Sequence, residues 1–153
     1  MPLQPLEATA RRYAAVERRL FEVVGSWVPA TPDAETKLVL REASFRHGWH
    51  SGLWEGLLPV GSPAAPEGSD ALALPAGATT TERLEALYGV VLPALVADYE
   101  RLLIEAERDV AAGGPLRRVL RLALADDHAE LAVGKALLGR MGPREPSMGD
   151  DIH

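Results

Sequence analysis

The sequence predicts an all-α protein, a four-helix bundle built as two antiparallel hairpins joined by one long crossover. Three observations predict it. Four segments repeat apolar residues at helical spacing, and no convincing strand pattern appears. The connections run short, long, short, which separates a one-crossover bundle from the plain up-down-up-down kind. The chain has 153 residues and no cysteine, enough for one unstapled core, placed over residues 1–140 with a flexible tail at 141–153.

The first helix covers about 6–28. Leu6, Ala10, Tyr13, Leu20, Val24 and Trp27 share a face, and Gly25, Pro29 and Pro32 punctuate its end. The second covers about 33–58, with Thr31 as N-cap, Pro32 leading in, Asp33 and Glu35 in the first turn, and Pro59 as the stop. The stretch 59–78, PVGSPAAPEGSDALALPAGA, reads as the crossover. A capping box at Thr79–Glu82 opens the third helix, about 79–111. Pro93 leaves the Gly89 carbonyl without a helical donor, which predicts a kink. Ala112-Gly113-Gly114-Pro115 then turns the chain into the fourth helix, about 115–138.

Composition excludes several function classes. Without cysteine there is no disulfide, zinc–thiolate site, iron–sulfur cluster or thiol nucleophile. A net charge of −6 argues against nucleic acid as partner. No apolar run reaches membrane-spanning length, and no basic-then-apolar segment opens the chain, so the expected location is cytoplasmic. Nucleotide loops and Ser-His-Asp patterns are absent. Lys37 and Lys135 are the only lysines against many arginines, a composition common in high-GC bacterial genomes.

Helical-wheel placement leaves a few charges facing inward. Glu17 is the charge on the first helix's stripe, Asp98 on the third's, and Asp127 and Glu130 on the fourth's, with Asp126 at its margin. On the second helix Glu42, Arg46 and His50 line up inward, and His47 falls at the boundary. His128 and His153 are read as solvated, and Trp27, Trp49 and Trp54 as packing. Counting from the turns sets Glu17 level with Glu42, and Asp98 level with Asp127 and Glu130. His50 then lies two turns from Glu42, about 12 Å along the axis. Five carboxylates at one depth need positive charge. Either metal supplies it, with oxygen ligands from all four helices, or Arg46 and His50 do.

This pattern resembles the ferritin-like superfamily and, more loosely, ferritin-like proteins of high-GC bacteria. The resemblance covers nearly the whole chain, as architecture and residue slots. It implies a centre of two Fe or Mn ions held by one acid from each of two helices, Glu17 and Asp98, and by a Glu-x-x-His motif from each of the others. Glu42 takes the acid position of one motif and Asp127 that of the other. Both histidine positions depart from the pattern: Phe45 stands in the first and Glu130 in the second.

Two readings follow. In the first, Glu17, Glu42, Asp98, Asp127 and Glu130 hold two ions that activate dioxygen or peroxide. The substrate is then a small molecule or iron itself, with Tyr99 or Tyr88 as neighbour. In the second, the bundle is metal-free, its acids are neutralised by Arg46 and His50, and it acts as a binding or assembly module, as a homodimer through the outward parts of Trp49 and Trp54.

Overall fold

The computed structural model describes residues 3–63, 74, 78–109 and 113–141. Every regular element among them is helical: α1 (Leu3–Trp27), α2 (Ala34–Glu55), α3 (Thr80–Ala86), α4 (Leu92–Arg108) and α5 (Gly114–Arg140). A π-helical turn, Leu87–Val91, joins α3 to α4, so the described residues form four rods. Most of the expected crossover, the last residues of the expected third helix and the tail from 142 with His153 lie outside the described residues.

The local signals act mostly as the sequence suggests. Thr79 caps α3 by accepting from the Glu82 N–H, and its hydroxyl donates to the Glu82 carboxylate. The cap of α2 is Asp33, which accepts from both the N–H and the hydroxyl of Thr36. Thr31, expected as that cap, is buried and donates back to the Trp27 carbonyl. The expected kink takes the form of the π turn. Its Leu92 N–H reaches five residues back to the Leu87 carbonyl. Widening the turn just before Pro93 accommodates a residue that cannot donate there.

Two serines fix how α1 meets α2. Ser44 Oγ donates to the Phe21 carbonyl and Ser51 Oγ to the Ala14 carbonyl, both at 2.8 Å. These bonds set an antiparallel register in which residue 17 lies level with residue 48. α1 packs chiefly on α2, α4 on α5, and α2 on α5 closes the bundle. The core is continuous through Leu20, Leu40, Trp54, Leu84, Tyr88, Tyr99, Leu120 and Leu137. Among the described residues no helix is long and apolar enough to cross a membrane.

Candidate metal centre

The register places Glu17 of α1 against His47 and His50 of α2, and all three side chains are fully buried. They are grouped so that one donor atom from each lies within 4.8 Å of the other two. α5 supplies the opposite wall with Asp126, Asp127 and Glu130, and α4 supplies Tyr99.

Glu17 is held from several sides. His47 Nδ1 donates to its Oε2 at 2.6 Å, and the Tyr99 hydroxyl donates to its Oε1 at 2.7 Å. Trp54 Nε1 in turn donates to the Tyr99 oxygen at 3.0 Å. Burial opposes the charged form of Glu17, but His47 and His50 hold its carboxyl down at about 2. Burial likewise disfavours charge on His47, and Glu130 and Glu17 overcome it, raising its pKa well above the ordinary value. Tyr99, buried against the Glu17 carboxylate, stays firmly protonated.

The two imidazoles are arranged alike. Each turns Nδ1 toward Glu17 and Nε2 toward a carboxylate of α5. His47 Nε2 lies 3.1 Å from Glu130 Oε1, and His50 Nε2 lies 2.9 Å from Asp126 Oδ2. A carboxylate can only accept, so Nε2 of each ring carries a proton, and His47, which also donates through Nδ1, is the imidazolium. Arg46 Nη1 adds a bond to Glu130 at 3.3 Å.

The remaining atoms lack partners. His50 Nδ1 has no hydrogen bond; it lies 3.5 Å from Glu17 Oε1 and 3.7 Å from Asp127 Oδ1. Both oxygens of Asp127, itself fully buried, are also unpartnered. Burial, relieved in part by His47 and reinforced by Glu17, pushes its carboxyl up to about 7. The Tyr88 hydroxyl is a further buried orphan, and its ring lies in space that only a glycine at 134 leaves open.

Of the expected site residues, the structure brings together Glu17, Asp127, Glu130, His50 and Tyr99, with Arg46 at the edge. Glu42 is exposed and stays outside the group. The serine register lowers the level of α1 on α2 by more than a turn relative to simple counting, so His47 stands where Glu42 was expected. Glu42 instead lines a small outer depression of about 90 Å³ with Val39, Arg46, Ala129, Glu130 and Val133. Asp98 is also outside: its side chain is 32% exposed, bonded to Arg101 at 3.0 Å and to the Tyr13 hydroxyl at 3.3 Å. The neighbouring Tyr99 takes the inward position. His47, read as a boundary residue, is central, and Asp126, read as marginal, orients His50. The His47-x-x-His50 spacing was the signal for this pair.

No family model, curated protein or solved structure matches this chain.

Proposed function

We propose that this protein is a ferritin-like bundle with a degenerate oxidase-type centre, binding one Fe(II) or Mn(II) ion through His47, His50, Glu17 and Asp127. One observation carries the reading: His50 Nδ1 and both Asp127 oxygens are buried side by side with no partner, next to the Glu17 carboxylate. Buried polar groups left unpaired cost free energy, and a cation shared among them removes that cost. Two histidines with carboxylates suit iron or manganese, which supply redox chemistry toward dioxygen or peroxide when bound.

The surrounding residues support the ligand atoms. Asp126 holds the far nitrogen of His50, which favours the tautomer that presents Nδ1 as an acceptor, the usual arrangement behind a metal-bound histidine; His47 would join only by giving up the proton it donates to Glu17. Tyr99, backed by Trp54, orients Glu17. Burial keeps bulk water away. A two-ion centre would need the carboxylates of Glu42 and Asp98, which point elsewhere, so one ion is the better reading.

The metal-free alternative has its own support. The chain Glu17–His47–Glu130–Arg46 alternates charge and closes without an ion, with steps of 2.6, 3.1 and 3.3 Å. Anaerobic reconstitution with Fe(II) or Mn(II), followed by elemental analysis, separates the two. About one equivalent per chain, lost in His50→Ala and Asp127→Ala, is the expected result. Less than about a tenth of an equivalent in the folded wild-type protein leaves only the metal-free reading.

A further inference from the structure

The outer face of α2 carries three large apolar side chains in the open. Leu38, Phe45 and Trp49 are each more than half exposed, and Phe21 of α1 is 39% exposed beside them. Gly48 and Gly52 leave a groove between the two helices, lined by Arg18, Phe21, Phe45, Gly48, Ser51, Gly52 and Glu55, with about 380 Å³ of free volume. That is ample for an aromatic ring. Exposed apolar surface gathered in one place marks an interaction site.

The pattern along α2 says what covers it. Arg41 and Glu55 are both exposed and lie seven residues either side of Gly48, two turns each way. Neither has an ion-pair partner among the described residues; Arg41 lies only over the Phe45 ring, 5.6 Å from its centroid. Antiparallel pairing of α2 with itself about Gly48 and Trp49 sets Arg41 of one copy opposite Glu55 of the other, twice. The same two-fold brings Phe45 within one residue of the gap at Gly52, again twice, and the two Trp49 rings together near the axis. Such self-complementarity is what a two-fold interface requires. The face is about 30 Å long and two helices wide, of the order of the roughly 800 Å² per partner that stable interfaces bury.

We propose that this face docks a second copy of the chain, giving an antiparallel α2–α2 homodimer with Phe45 seated at Gly52. The dimer does not depend on the metal reading, because none of its contact residues bonds to Glu17, His47 or His50; Trp49 comes nearest, its ring centroid 5.8 Å from that of His50.

Sedimentation equilibrium of the full chain tests it, run with chelator and again with Mn(II). Wild type is expected to show the mass of two chains at about 100 µM in both. A Cβ at position 52 meets nothing within 4 Å, and leucine is a better helix former than glycine, so Gly52→Leu leaves the monomer folded. It is expected to weaken the dimer at least about tenfold, as is Phe45→Glu. Arg41→Glu and Glu55→Arg alone are expected to weaken it, and the double reversal to restore it. A monomeric wild type at that concentration overturns the proposal. So does a dimer indifferent to both Gly52→Leu and Phe45→Glu, or charge reversals whose double variant is no tighter than the singles.

Discussion

His47 and His50 stand one turn apart on the same helix, equally buried and equally turned toward Glu17, yet their surroundings differ. Both nitrogens of His47 face carboxylates at hydrogen-bond distance, and Arg46 completes the charge balance through Glu130. His50 has one nitrogen bonded to Asp126 and the other open beside the two unpaired oxygens of Asp127. The first half is a finished ion network of the kind that holds helices in register. The second half is unfinished in polar terms, and unfinished buried polarity is where a ligand gains most. The two halves meet at Glu17: Oε2 accepts from His47, while Oε1 accepts from Tyr99 and also faces His50 Nδ1.

Breaking that shared residue has the largest expected effect. Glu17→Ala strands His47 and leaves the Tyr99 hydroxyl without its acceptor. A loss of about 3–5 kcal/mol in urea unfolding is expected, as for other buried pairs deprived of one partner. Asp127→Asn sharpens the contrast by acting in the opposite sense. In chelated protein at pH 8 it is expected to raise stability by a few kcal/mol, because it removes a buried charge with no partner. In metal-loaded protein it removes a ligand, so the gain from added Mn(II) disappears.

The pH profile of the chelated protein follows from the same difference. Asp127 is raised from 3.8 to about 7, so the stability of its neutral form is full below 3.8 and is lost as pH rises through 7. His47 is also raised, so its contribution is full below 6.5 and is lost above its folded pKa. Glu17 is depressed to about 2, so its contribution is present above 4.5 and lost only as pH falls toward 2. Thermal melts with chelator are therefore expected to peak in the acid range and fall toward pH 8. Asp127→Asn flattens the part of that fall between about 4 and 7. An unchanged profile in that variant counts against Asp127 as the unpaired group.

How much of this was legible in the sequence differs by helix. On α5 the inward set Leu116, Leu120, Ala123, Asp127, Glu130, Gly134 and Leu137 is buried as its periodicity requires. On α1, Glu17 stood alone in an apolar stripe, and that alone marked it. α2 misled because it carries large apolar residues outside and small polar ones inside. Ser44 and Ser51 face α1 because their hydroxyls bond its carbonyls and their size allows close approach; a Cβ on Gly25 would come within 2.8 Å of Ser44 Oγ. Trp49, read as packing, drew the helical wheel toward the side of Glu42 and Arg46, yet it is 53% exposed. Rotation and the shifted level together exchanged Glu42 for His47. On α4 a single step separates Asp98 from Tyr99, and only the packing of Tyr99 on Trp54 and Tyr13, with ring centroids 5.5 and 5.2 Å away, decides between them.

Two smaller effects probe the finished half from its two ends. Tyr99→Phe keeps the ring packing and removes both the donor to Glu17 and the acceptor for Trp54 Nε1. A cost of about 1–3 kcal/mol is expected, with a tryptophan emission change from Trp54. Arg46→Leu is expected to cost least. In the metal-free reading of the sequence, Arg46 and His50 together neutralise the acids, and the loss of Arg46 is strongly destabilising. In the structure its side chain is 30% exposed and touches one carboxylate, Glu130, at 3.3 Å. Glu130 keeps its closer bond to His47 when Arg46 is gone, and His47 remains the cation that Glu17 faces. A partly exposed pair of this kind contributes about 1 kcal/mol or less. Urea unfolding of Arg46→Leu at pH 6 and at pH 8 checks the assignment. A small loss at both values identifies His47 as the charge that completes the network. A loss above about 3 kcal/mol means that Glu130 depends on Arg46, and that the network is closed at the solvent edge instead of at the imidazole.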